Sequence, residues 1–425
     1  MVLAMALLAC AGCESRAEPA PTQPAAPASA AITVATSASV APPPKPPPEP
    51  WLTKTLRESG PEWKGWLERA EELRLQILVT VLEPSGDVAT HELRADAEYF
   101  YPASAIKLPL AVVALSAMNE RLGYPVPPMT RLMRCRYDRS GCEPPREDED
   151  HERDKDEDGV YKHEKLRVGT ELRKMLSYSD NDSYNRLWDI VGHREANEIA
   201  QKLGLSSVRF HHRMNAPADK SVSTQRVTLL PPGKKAVVIG KRKSDFELEP
   251  TPAAGLEIGK GYNAGGKLVE EPMSFASKNY VSLHELQRIL LSLVRPQHPK
   301  ALKLGLDDDQ RKLLVKAMTA RLRSKKHAAE HNPFSPGVLE VVDHDAVRYV
   351  GKSGRAYGFH LDNAYIEDPK SKRALVATAV VYVNPNQILN DDDYEYDETS
   401  KPLLASLGKV LTEKLLFTNA PPRKE

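Results

Sequence analysis

Ser104 and Lys107 stand three residues apart in FYPASAIKLPLAVVAL, at the start of an apolar run with helical spacing. Positions i and i+3 share one face of a helix, so a hydroxyl and an amine placed there can meet. A serine hydroxyl is a weak nucleophile at neutral pH and needs a base beside it. A lysine can be that base when burial or a second cation lowers its pKa. Backbone N–H groups at the helix start can also hold a developing oxyanion. The spacing alone is weak, since Ser-x-x-Lys also arises by chance and at ordinary helix caps.

Two further stretches add chemistry of the same kind. MLSYSDNDSYNRL places Ser179, Asp180 and Asn181 between two helical segments. A loop there can aim a hydroxyl to relay a proton to a leaving nitrogen (Ser179) and an amide to hold a substrate carbonyl (Asn181). Asp180 reads as a structural residue that turns back to fix the loop. The competing reading is an Asx turn capping the next helix. In RYVGKSGRAYGF, Lys352, Ser353 and Gly354 end a strand. The amine and hydroxyl can grip a substrate carboxylate, and glycine lets substrate lie close. The backbone N–H of Arg355 can complete an oxyanion hole. By itself this is an ordinary turn.

Taken in order, Ser-x-x-Lys, Ser-Asp-Asn and Lys-Ser-Gly resemble the signature of class A β-lactamases and penicillin-binding proteins. The resemblance covers about residues 60–418. It implies an α+β, β-lactamase-like fold: an antiparallel sheet of N- and C-terminal strands flanked by helices, plus a central all-α subdomain. It implies a serine hydrolase forming an acyl-enzyme at Ser104, with Lys107 as base and no cofactor or metal. The small-molecule partner would be a β-lactam or a peptidoglycan-type peptide. A penicillin-binding peptidase or transpeptidase, and a non-catalytic wall-binding lipoprotein, are the alternatives. The family pattern also includes an acid in Glu-x-x-Leu-Asn, which positions the water that releases the acyl group. If Met214-Asn215 stands for Leu-Asn, the acid's place falls on His211. No Glu occurs between Glu198 and Glu247, and Asp219 is poorly spaced. A histidine can act as a general base near neutral pH; the plainer reading makes His211 and His212 surface loop residues.

The elements that must position these residues follow from apolar periodicity. PEWKGWLERAEEL reads as an opening helix, and LRLQILVTVLEPSGDVATHEL as a hairpin turning at Pro-Ser-Gly-Asp. SAIKLPLAVVALSAMNERLG, VGTELRKMLS, SYNRLWDIVGHREANEIAQKLG, SLHELQRILLSLV and DDDQRKLLVKAMTARL carry the helical period. Strands return at AVRYVGK, GFHLDNAYIE and ALVATAVVYVN, and LLASLGKVLTEKLL closes as a helix. Strands at both ends with helices between imply that the two ends share one sheet. Three insertions interrupt the pattern, at about 135–165, 225–272 and 388–400. The second is Gly/Pro-rich with one strand candidate, KAVVIG; the third carries the acidic run DDDYEYDE, read as solvent-facing.

Ahead of this catalytic domain, MVLAMALLACAGC is apolar and too short to span a bilayer, which takes about 20 residues. Residues 1–13 read as a signal peptide and lipobox, with lipid on Cys10 or Cys13, although no Lys or Arg opens the segment. Residues 14–59 read as a Pro/Ala-rich tether, ending its biased run in APPPKPPPEP at Pro50; residues 419–425 are a tail. This makes the protein a secreted, periplasmic or cell-envelope lipoprotein bound to a membrane through its N-terminal lipid. In such a compartment Cys135 and Cys142 form a disulfide more readily than a metal site. Asp154, Asp156 and Asp158 begin a calcium-loop pattern, but Lys165 stands where its closing carboxylate belongs. With 59 basic against 58 acidic residues, the chain lacks the basic face that nucleic-acid binding needs.

Overall fold

A computed structural model describes residues 49–134, 151–155, 161–216 and 218–417. Cys10 and Cys13, Cys135 and Cys142, Asp156 and Asp158, and the tail lie outside the described residues. Asp154 falls in the strand His151–Lys155, paired antiparallel with Tyr161–Lys165.

The central sheet joins the two ends of the chain. Strands β1 (Gln76–Leu82) and β2 (Val88–Leu93) form the expected hairpin. Late strands β3 (Arg348–Gly351), β4 (Gly354–Ala356), β5 (Phe359–Glu367) and β6 (Ala374–Tyr382) supply the rest. The order is β3-β5-β6-β1-β2, with β4 also on β5 and every pairing antiparallel. β1 is buried along its whole length because the sheet is covered on both faces. Alternate residues serve different cores. Leu78, Val376, Val380 and Tyr365 face one, while Ile77, Val79, Leu375, Ala377 and Ile366 face the other.

The first core is helical. α3 (Lys107–Leu122) is buried on all sides from Lys107 to Met118, as expected of a helix apolar all round. Around it pack α4 (Val168–Ser177), α5 (Asn181–Lys202), α6 (Leu283–Val294) and α7 (Asp308–Met318). The period in SYNRLWDIVGHREANEIAQKLG implies one continuous helix, yet α5 is broken at Gly192, whose φ of 71° is left-handed. The second core lies between the sheet's other face and α8 (Lys325–His331), α9 (Ser335–Val341) and α10 (Lys401–Leu411).

Two boundaries differ from the sequence reading. The tether does not run to residue 59. Trp51–Glu58 is a helix, α1, whose Leu52 and Leu56 are buried in the second core, ahead of α2 (Pro61–Glu68) with buried Trp63. Proline bias up to Pro50 hid that short apolar face. The insertion 225–272 also holds more than one strand. Val227–Leu230 joins Arg131–Arg134 to Val237–Ile239, and Gly261–Ala264 pairs with Lys267–Val269. Burying a leucine side chain contributes about 1.5–3 kcal/mol. A chain beginning at residue 60 is therefore expected to unfold with roughly 3–6 kcal/mol less stability than one beginning at 49, as measured by urea titration. Equal midpoints would return the segment to the tether.

Candidate active site

Ser104 does not sit on α3 itself. It belongs to a tighter 3-10 turn, Ala103–Ile106, that feeds the helix, and Lys107 is the first α-helical residue. Side chains at i and i+3 eclipse in a 3-10 turn, and Lys107 Nζ lies 2.9 Å from Ser104 Oγ. Ala103, just ahead of the serine, has a φ of 45°. A left-handed non-glycine residue costs about 1–3 kcal/mol and persists only where its surroundings enforce it.

The Ser179–Asn181 loop meets this turn from between α4 and α5. Ser179 also has a left-handed backbone, with φ 60°. Asp180 does what its sequence reading allowed under both heads. Its carboxylate accepts the Ser183 N–H at 2.6 Å and caps α5, fixing the loop. That frees its two neighbours to face Lys107, whose Nζ lies 2.5 Å from the Ser179 carbonyl oxygen, 3.3 Å from Ser179 Oγ and 2.6 Å from Asn181 Oδ1.

The third segment closes the group. Lys352 Nζ donates to Ser179 Oγ at 3.0 Å and to the Ser353 carbonyl at 2.9 Å. Gly354 is required by proximity: a Cβ there would stand 3.0 Å from the Ser104 nitrogen, 2.9 Å from the Ala105 nitrogen and closer still to the Pro102 carbonyl. Ser353 is turned elsewhere, its hydroxyl donating to the His331 carbonyl at 2.7 Å. The Arg355 guanidinium lies over the Tyr396 ring at 5.2 Å.

Burial sets the electrostatics. Lys107 has no exposed surface, and desolvation, helped by the nearby Lys352 charge, pushes its pKa down to about 6 against the opposing pull of Asp180. Burial likewise pushes Lys352 down to about 7, opposed by Asp362. Asp362 is itself raised to about 7 by burial, although its carboxylate accepts from Tyr349 Oη (2.5 Å) and the backbone N–H groups of Phe334 and Asn363.

Ser104, Asn181 and Arg355 open onto a cleft of about 590 Å³. His211 does not line it; its N–H donates to Asn279 Oδ1 and its ring Nε2 is buried without a partner. His212 lines the cleft instead. The consecutive N–H groups of His211 and His212 converge on Asn279 Oδ1, so the chain turns here, and His212 rather than His211 is the residue brought to the cleft. The loop at 388–400 is not purely solvent-facing either. Asp392, Tyr394 and Tyr396 line the cleft. Tyr396 Oη accepts the Gly358 N–H at 2.8 Å and Tyr394 Oη that of Asn390 at 2.9 Å, which folds the rings inward. Sequence reasoning also missed Tyr101 and Tyr357, although both lie within three residues of a motif residue. Lys278 carried no such signal. Among the described residues no group of three or more His, Cys, Asp or Glu side chains is placed to hold a metal ion.

The close approach at Gly354 yields a prediction. Gly354→Ala should push the strand off the Ser104 turn and lower reaction at Ser104 at least tenfold, since about 1.4 kcal/mol of lost positioning is tenfold in rate. Labelling by a serine-directed acylating probe checks this, and wild-type labelling by the variant would count against it.

No curated protein sequence matches the chain. Among solved structures it is similar to a beta-lactamase from Sphaerobacter thermophilus, at 14% identity over 87% of this chain and 99% of that one, with a TM-score of 0.47. It is also similar to the beta-lactamase from Streptomyces albus G (16%, 85% and 99%, TM-score 0.47). A class A beta-lactamase from Clostridium kluyveri is a third (14%, 84% and 98%, TM-score 0.46). The model of the beta-lactamase enzyme family matches residues 70–415, a span that holds all three motifs and the whole central sheet, and the chain belongs to that family.

Proposed function

We propose that this protein is an acyl-serine hydrolase acting on a β-lactam or a peptidoglycan-type amide that carries a carboxylate near the scissile bond. The observation that carries this reading is the 2.9 Å approach of a buried lysine amine to Ser104 Oγ. As a neutral amine, Lys107 has two N–H groups and one lone pair. The N–H groups are satisfied by the Ser179 carbonyl and Asn181 Oδ1, leaving the lone pair for the serine proton. Oγ attacks the amide carbon while its proton passes to Nζ. Ser179 Oγ, between the two lysines, relays a proton to the departing nitrogen. Arg355 and Lys278 give the cleft wall positive charge that suits an anionic substrate. The same reading places the protein in the cell envelope, held by a lipid on Cys10 or Cys13.

A penicillin-binding peptidase or transpeptidase is the second reading. It is favoured by the absence of any Glu between Glu198 and Glu247, where the family's water-positioning acid belongs. A chromogenic cephalosporin and a fluorescent penicillin separate the two. Turnover supports a β-lactamase, and a lasting label supports the second reading. Ser104→Ala should abolish both signals; a variant indistinguishable from the wild type would sink the nucleophile assignment.

The acylation rate should depend on pH in a bell. Lys107 becomes a free amine as pH rises through about 6, and the Lys352 charge is lost as pH passes about 7. Lys352→Gln removes the cation that depresses Lys107, so the acid limb should move to higher pH. Burst kinetics between pH 4.5 and 9 read both limbs, and an unmoved acid limb would contradict the coupling.

A further inference from the structure

An acyl group on a serine oxygen leaves by attack of water, and water needs a base to take one of its protons. Among the cleft-lining residues, two carry an imidazole or carboxylate lone pair that can take a proton from water: His212 and Asp392. Asp392 is exposed on the outer loop. His212 is built into the wall. Its Nδ1 lies 2.7 Å from the Arg213 carbonyl oxygen. A carbonyl has no proton to give, so Nδ1 carries the hydrogen and Nε2 the lone pair. That Nε2 is buried and has no hydrogen-bond partner, a condition native structures rarely leave unexplained.

The residue is also held from both sides. Asn279, itself fully buried, accepts the N–H groups of His211 (2.8 Å) and His212 (3.0 Å) on Oδ1 and donates Nδ2 to the His212 carbonyl (3.1 Å). The imidazole is nearly parallel to the ring of Tyr101, with 16° between planes and 6.2 Å between centroids. Tyr101 lies three residues before Ser104 and lines the same cleft. A base needs such fixed aim, because an orientation held in advance costs nothing at the moment of reaction.

We propose that His212 is the general base of the deacylation step, its Nε2 taking a proton from the water that attacks the acyl group on Ser104. This rests on the reading of Ser104 as the acylated nucleophile. The water oxygen bonds to the ester carbon and its proton moves to Nε2. The bond from carbon to Oγ then breaks, and the proton held at Nε2 returns to Oγ. The net change is one water added across the ester, giving a free acid and a free serine. Burial, with a further contribution from Lys278, pushes the His212 pKa down to about 4, against the Arg213 carbonyl. The ring is then in its base form across the neutral range, as a carboxylate would be.

The test uses the full chain and a fluorescent penicillin, with formation and loss of the label at Ser104 followed separately. His212→Asn keeps an amide N–H for the Arg213 carbonyl and removes the Nε2 lone pair. It should form label at close to the wild-type rate and lose it about 100-fold more slowly or worse. Added imidazole should restore release in His212→Gly, which a merely structural role would not allow. The inference is overturned if His212→Asn releases label at the wild-type rate, or if Asp392→Asn alone is slow. It is also overturned if the wild type never releases its label, or if both His212 variants fail to take label. If the wild type neither takes label nor turns over a cephalosporin, or if Ser104→Ala labels like the wild type, the nucleophile reading has failed instead, and the inference falls with it.

Discussion

Two amines are taken out of water at the centre of this molecule, and the rest of the site is arranged around what that requires. Lys107 is fully buried and Lys352 is 3% exposed. Burying an ammonium without partners is prohibitive, so such groups either find acceptors or give up their proton. Here both responses are visible. The Ser179 carbonyl and Asn181 Oδ1 receive Lys107, while desolvation and the neighbouring cation bring its pKa down to about 6. The same burial that threatens the fold thus leaves an amine that gives up its charge readily 2.9 Å from Ser104 Oγ.

Holding two lysines that close demands precision from segments far apart in the chain. The helical core fixes α3 and hence Lys107, and the cap that Asp180 makes on α5 fixes the loop bearing Ser179 and Asn181. The sheet fixes Lys352, because β3 and β5 pair from Arg348 to Gly351 and the Lys352 N–H continues the ladder to the Asn363 carbonyl at 3.0 Å. Gly354 joins sheet to turn without a side chain between them. Left-handed backbone at Ala103 and Ser179 is the strain this convergence imposes, and it falls beside the groups placed to react.

The cleft wall is a different kind of structure. It is assembled from insertions and loops whose rings contact one another: Tyr101 with Tyr357 at 5.1 Å, and Tyr394 with Tyr396 at 5.4 Å. The loop at 388–400 turns its tyrosines inward and leaves Asp397 and Glu398 in solvent. A run that reads as acidic therefore presents two tyrosine rings to the cleft beside Asp392.

The sequence by itself determined which residues gather at the centre and the class of fold. Ser104, Lys107, Ser179, Asn181 and Lys352 announce themselves by type and spacing, and the periods of α4, α6 and β5 are strong enough to be read directly. Those signals are local, arising from helical and strand repeats and from motifs a few residues long. Only the tertiary structure decided what depends on distant partners. Helix Trp51–Glu58 exists because a core across the sheet accepts Leu52 and Leu56. Ser353 is spent on the His331 carbonyl rather than left free. Whether His211 or His212 lines the cleft is set by a turn of the chain pinned to Asn279, 67 positions further along from His212. Spacing from a motif cannot carry that information, since the acceptor that turns the chain at His211 and His212 lies far away in the sequence.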